Sequence, residues 1–286
     1  MVRNTGEGRK ASGFTLIELI VVIAITGIIG GIVATFIRAP VQAYVDSSRR
    51  AEMTDIADTA LRRISRDIHL ALPNSVRVGG GGVALEFLDA PVGGRYRAVA
   101  DGATDALLFD SNDDTFDVLG TAVTLQAGDD LVVFNLGIQG ADAYAGNSTS
   151  THNRRAIKSI GTVSNIAFNA PVNTRLPFES PGHRFHVVRG PVSYFCMPAS
   201  GGIAGTLRRY WGYTIQAGQP TTLAALNALP GVRSAIMAGN VGPVCGFSYD
   251  ANMAAQRMGL VTMRLSIMQQ DEVISLYSAT HVSNVP

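Results

Sequence analysis

Residues 14–37, FTLIELIVVIAITGIIGGIVATFI, constrain this chain more than any other stretch. From Phe14 to Ile37 they hold 24 residues and a single ionisable side chain, Glu18. Wound as a helix, such a run is long enough to span the ~30 Å hydrocarbon core of a bilayer. A membrane-spanning helix is therefore the first expectation. A carboxylate in that setting costs roughly 2.5–3.5 kcal/mol at the bilayer centre and less near an end, so Glu18 needs a partner. The run begins abruptly after Gly13, behind a short, polar, basic leader, MVRNTGEGRKASG. If the chain is cut between Gly13 and Phe14, the new amino group of a neighbouring subunit is a fitting partner for Glu18. Two plainer readings compete. A secretory signal peptide has an apolar region of ~7–15 residues with its cleavage site after it, whereas this run is longer. An uncleaved anchor carrying an incidental Glu fits the length alone.

Gly27 and Gly31 share a face of this helix, with Gly30 beside them, and small residues at that spacing let helices approach closely in lipid or in a filament core. Glycine is also simply frequent in membrane helices. Pro40 removes one backbone hydrogen bond and predicts a kink or softening. Beyond it Met53, Ile56, Ala57, Ala60, Leu61, Ile64 and Ile68 recur at three- and four-residue steps, with Arg62, Arg63, Arg66 and Asp67 on the other side. The pattern stops at Leu72, before Pro73. The predicted helix thus covers 14–72, roughly 90 Å of rise, with an apolar first half and an amphipathic second half suited to packing on a globular domain.

From Pro73 to the end the chain reads as β-rich. Gly79 to Gly82 are expected to form a turn or linker. Strands are predicted at VALEFLD from Val83, DALLF from Asp105, DDLVVFNLGI from Asp129, SNIAFN from Ser164, RFHVV from Arg184, PVSYFCM from Pro191 and TLRRYWGYTI from Thr206. The last two, GLVTMRLSIM and DEVISLYSATHV, form a hairpin about Gln269 and Gln270. One helical interlude, Thr222 to Leu229, opens on a Thr cap and closes at Pro230 and Gly231. The fold class expected is α+β, a long amino-terminal helix packed on a carboxy-terminal antiparallel sheet domain, with segments 1–13, 14–37, 38–72 and 73–286.

Gly13, Phe14, Thr15, Leu16, Ile17 and Glu18 resemble the cleavage and methylation motif of type IV prepilins and type II secretion pseudopilins. The resemblance implies that a prepilin peptidase/methyltransferase removes residues 1–13 on the cytoplasmic side and N-methylates Phe14, and that Glu18 registers subunits entering a helical filament. Further along, Ala39-Pro40-Val41-Gln42, AEMTDIADTALRRISRDIHLALPNSVRV, RFHVVRGPVSYFC, TLRRYWGYTI, VCGFSYD, GLVTMRLSI and the closing HVSNVP are similar to the MshO-type large minor pilins of the mannose-sensitive hemagglutinin pilus, whose fold is related to the J-type pseudopilins. That resemblance implies major and minor pilins and an inner-membrane assembly platform as partners, with membrane lipid as the surroundings before assembly. Arg38, Arg49 and Arg50 follow the apolar run so closely that charge counting barely decides orientation. Orientation with the amino terminus cytoplasmic and the β-domain periplasmic rests mainly on the motif and on the cysteine pair. In that oxidising compartment Cys196 and Cys245 favour a disulfide, worth ~3–4 kcal/mol by chain entropy, against two buried free thiols.

Net charge is +1, so no basic excess points to nucleic acid. Catalysis has no constellation behind it. The five histidines form no HExxH, the lysines Lys10 and Lys158 lie in no phosphate-binding loop, and no Gly-x-Ser-x-Gly elbow occurs. No enzyme activity and no cofactor is expected. Asp110, Asn112 and Asp114 reproduce the start of a calcium loop, but Thr115 stands where the turn glycine belongs and Thr121 where the bidentate Glu belongs, so a solvated Asp-rich turn is preferred over a metal site. Tyr194, Phe195, Tyr210, Trp211 and Tyr213 are read as core or pilin contact. A glycan-binding face at a filament tip could be built from the same residues. The functional expectation is a minor pilin that initiates or caps a filament, with a J-type pseudopilin or a tip adhesin as alternatives.

Overall fold

The computed structural model describes residues 13–110, 112–170, 175–250 and 258–286. One helix, α1 (Leu16–His69), leads the chain, and the described residues divide between Glu52 and Met53 into two compact units. In the first unit α1 leaves its side chains open from Leu16 to Val45, among them Ile28 and Phe36. The helix is unbroken through Pro40, where the sequence predicts a kink or softening. Proline withdraws one ladder bond, and here the bonds on either side keep the helix in place.

The second unit is β-rich. Its strands, in chain order, are β1 (Arg77–Gly79), β2 (Ala84–Asp89), β3 (Val92–Tyr96), β4 (Thr115–Leu119), β5 (Val123–Leu125), β6 (Asp130–Val133), β7 (Arg154–Ala156), β8 (Gly161–Val163), β9 (Asn165–Ala167), β10 (Arg184–Val188), β11 (Gly190–Met197), β12 (Gly205–Trp211), β13 (Arg233–Asp250), β14 (Met258–Gln269) and β15 (Glu272–Ser283). A seven-stranded sheet runs β1-β2-β11-β12-β13-β14-β15, a six-stranded sheet runs β7-β6-β10-β3-β4-β9, and β5 pairs with β8. Every pairing is antiparallel. The expected α+β architecture is the observed one.

The amphipathic end of α1 explains how helix and sheet join. Met53, Ala57, Ala60, Leu61, Ile64 and Ile68 are all buried and form one core with Phe87, Tyr194, Val261, Met263, Leu265 and others of the seven-stranded sheet. Each large apolar side chain so buried contributes about 1.5–3 kcal/mol. Polar contacts fix the register of this packing. Ser65 meets Thr280 at 2.7 Å, and the Asp67 carboxylate accepts from the Tyr194 hydroxyl at 2.6 Å and from Arg209 Nε at 2.8 Å. A second core, including Tyr96, Phe116, Phe168 and Phe185, lies under the six-stranded sheet.

Several elements differ from expectation for local reasons. The helix begins at Leu16 rather than Phe14, because Thr15 is its cap. It ends at His69 rather than Leu72: the Leu70 and Ala71 N–H groups turn back to Asp67 and Ile68, Ala71 bridges Asp89, and Leu72 donates to Leu88 at 2.8 Å. Pro73 disfavours helix in the residue before it. Residues 105–109 form no strand; Leu107 donates to the Arg97 carbonyl, and Asp105 to the Asp117 side chain. The strand expected from Asp129 stops at Val133 because Phe134 turns to φ 55°. The final hairpin turns on Gln270 and Asp271, one residue later than expected, with Gln270 at φ 54° and Gln269 paired to Glu272.

Seven strands, β1, β3, β4, β5, β7, β8 and β13, escaped the sequence reading, and two of them show why. In β3 the run Val-Gly-Gly-Arg-Tyr lacks apolar alternation, yet β10 demands it: a Cβ on Gly94 would lie 3.0 Å from the Phe185 ring. In β13 the register slips between Val241↔Ile267 and Cys245↔Leu265. Pro243 sits in that bulge, where the missing N–H costs no ladder bond. Ser266 Oγ stitches it by accepting from the Val244 N–H at 2.9 Å and donating to the Val244 carbonyl at 2.7 Å.

Candidate processing and assembly site

Gly13, Phe14 and Thr15 are not helical, and the helix starts immediately after them. Thr15 and Glu18 make a reciprocal cap. The Glu18 N–H donates to Thr15 Oγ1 at 3.3 Å and the Thr15 N–H reaches Glu18 Oε2 at 3.5 Å. Such a box satisfies two of the amide groups that every helix start leaves orphaned, and a carboxylate there also faces the favourable end of the helix dipole. The Thr-x-x-Glu spacing was visible in the sequence as a capping signature, and sequence reasoning passed over it in favour of an intermolecular partner for Glu18. In this single chain the carboxylate is engaged within its own helix. Phe14 is 83% exposed and Gly13 is exposed too, so the bond between them lies open, ahead of the helix.

Nothing lies within 4 Å of a Cβ built on Gly27, Gly30 or Gly31, so these positions present bare backbone. Thr26 and Thr35 on the same helix return their hydroxyls to the carbonyls of Val22 and Gly31, at 2.7 and 2.9 Å, which hides them from an apolar environment. The segment Leu16–His69 contains the only span among the described residues that is long and apolar enough to cross a membrane.

The other sequence candidates fall elsewhere. Cys196 and Cys245 are bonded, with Cα atoms 6.0 Å apart, and the bridge ties β11 to β13 across the intervening β12. Asp114 is held by Lys158 Nζ at 2.9 Å, and Asp113 is spent on the Leu108 N–H at 2.7 Å. Asp110 and Asn112 stand exposed. Among the described residues no three His, Cys, Asp or Glu side chains gather as a metal would require. Of the five aromatics, Tyr194, Phe195, Tyr210 and Tyr213 are buried and Trp211 is half-buried, with the Arg209 guanidinium 5.1 Å from its ring centre.

A cluster missed by sequence reasoning supports the sheet from within. Glu86 on β2 is fully buried and accepts from Arg77 Nε at 2.9 Å, Ser193 Oγ at 3.0 Å and Tyr213 Oη at 3.0 Å. Arg77 also lies 3.7 Å over the Tyr144 ring. Burial first, and then the Glu86 carboxylate, raise the Tyr213 pKa well above the usual tyrosine value. Only the Glu set inside the apolar run VALEFLD hinted at it.

Residues 8–34 match the prokaryotic N-terminal methylation motif. This is a type IV pilin-like amino terminus. The motif implies processing by a prepilin peptidase and assembly with other pilins, and proteins that carry it are generally structural rather than enzymatic. No curated protein and no solved structure matches the chain. The pilin-like reading accommodates both the apolar helix, a candidate membrane anchor, and the sheet domain on which the helix end is packed.

Proposed function

We propose that this chain is a minor type IV pilin, of the kind found in mannose-sensitive hemagglutinin pili, that helps initiate or cap a filament. The observation that carries the reading is the methylation motif opening directly into a helix whose other end is built into a large two-sheet domain. Residues 1–13 are the leader, and the peptidase cuts between Gly13 and Phe14 and methylates Phe14. Residues 14–37 hold the precursor in the inner membrane, amino terminus cytoplasmic, and afterwards lie in the filament core. Residues 38–72 continue the helix, and 73–286 form the periplasmic domain that selects neighbouring subunits.

Assembly is the mechanism. Apolar helix area removed from lipid packs against other helices, with close approach at Gly27 and Gly31. Glu18 exchanges its own cap for the methylated amino group of a neighbour, so an unpaired arrangement is penalised. A domain of this bulk suits a filament end better than a repeating shaft. The test is Glu18→Ala with the precursor expressed at native level. Cleavage is expected to continue while recovery in sheared filaments falls; normal recovery with normal piliation refutes the role of Glu18. Intact mass of the filament-associated chain, beginning at methylated Phe14, tests the processing itself.

A further inference from the structure

A cleft of about 380 Å³ opens in the β-rich unit where β6 and β7 of one sheet approach the ends of β11 and β12 of the other. Arg154, Arg189, Asp130, Asn147, Thr214 and Ile215 line it. Arg154 is the fixed element. It is 8% exposed, donates through Nε to the Ala143 carbonyl at 2.8 Å and through Nη1 to Asp130 Oδ2, and its Nη2 makes no hydrogen bond with a described residue. Arg189 is exposed and acts on the Asp89 carboxylate electrostatically, without forming an ion pair among the described residues. The Asn147 amide has no partner there either. Arg154 lines the cleft, so its Nη2 is the donor of this fixed guanidinium that is left for a ligand acceptor.

We propose that this cleft binds a carboxylated sugar. Arg154 Nη2, its other donors being engaged, and the Arg189 guanidinium together offer donors to the oxygens of one carboxylate. Asp130, Asn147 and Thr214 supply the mixed acceptors and donors that ring hydroxyls need, and Ile215 provides an apolar wall. The volume lies at the lower end of the ligand-pocket range, about 300–1,000 Å³, which fits one saccharide unit rather than a peptide. Of the five aromatics only Tyr213 lines the cleft, with its hydroxyl engaged by Glu86 and Ser193; Tyr194, Phe195, Tyr210 and Trp211 do not line it.

The experiment is calorimetric titration of the full chain in detergent with glucuronic acid, glucose and inorganic phosphate, repeated on Arg189→Ala and Asn147→Asp. Glucuronic acid is expected to bind saturably and glucose ~10-fold more weakly, with each variant losing ~10-fold for glucuronic acid at an unchanged melting temperature. No saturable binding of glucuronic acid, equal binding of glucose, or unchanged affinity in Arg189→Ala overturns the proposal. Phosphate binding as tightly as glucuronic acid overturns the saccharide assignment and leaves a simple anion site.

Discussion

Glu86→Gln is the sharpest perturbation of the β-rich unit. The carboxylate is fully buried and receives the Arg77 guanidinium together with the Ser193 and Tyr213 hydroxyls. Glutamine preserves shape but removes the charge and turns an NH2 group toward a set of donors, so Arg77 is left without its counter-ion. Breaking a buried pair from one side costs ~3–5 kcal/mol. For a unit of this size each kcal/mol lowers the melting temperature by about 2–4 °C, so the expected drop is roughly 6–20 °C. The assay is thermal unfolding of the full chain in detergent, followed by near-ultraviolet circular dichroism. The double variant Arg77→Leu with Glu86→Leu is the control, because removing both charges relieves the unpaired one and is expected to recover part of the loss. If Glu86→Gln melts within ~2 °C of the parent chain, the cluster does not hold the sheet and the reasoning fails.

Burial, with Arg184 nearby, lowers the His186 pKa to about 4, from an ordinary 6.5, so the unfolded chain binds a proton that the folded one refuses. Stability should fall by on the order of 2–3 kcal/mol as pH drops from about 6.5 to 4 and level off below; an identical acid loss in His186→Asn, by denaturant titration across that range, contradicts it. Reduction, or Cys196→Ser with Cys245→Ser, should cost ~2–5 kcal/mol in the same titration, and an unchanged midpoint would show the bridge between β11 and β13 to be dispensable. Gly205→Ala drives a Cβ into the Met197 carbonyl oxygen, well inside contact distance, so this variant should accumulate poorly and be cleared by proteolysis, whereas parental yield would mean that β11 and β12 can part without penalty.

The long helix of this protein is legible in its local sequence. A run of apolar residues has one physical solution in lipid, and the helix face at Met53, Ala57, Ala60, Leu61, Ile64 and Ile68 is written in a period of near neighbours. The Thr15–Glu18 cap is equally local, and its spacing could have been read. Strands with clean alternation or strong β-formers, such as β10, β11, β14 and β15, were legible for the same reason. Packing between distant segments settled the remainder. The run in β3 becomes a strand only through its pairing with β10 and β4, where the Phe185 ring favours a glycine at position 94, and β13 survives Pro243 only because Ser266, on the next strand, serves the bulge. The chemistry of Glu86, Arg77, Ser193 and Tyr213, and of the cleft at Arg154 and Arg189, depends on residues far apart in the chain. Their meeting is fixed by sheet order, which backbone pairing between distant segments sets and no short stretch of sequence encodes.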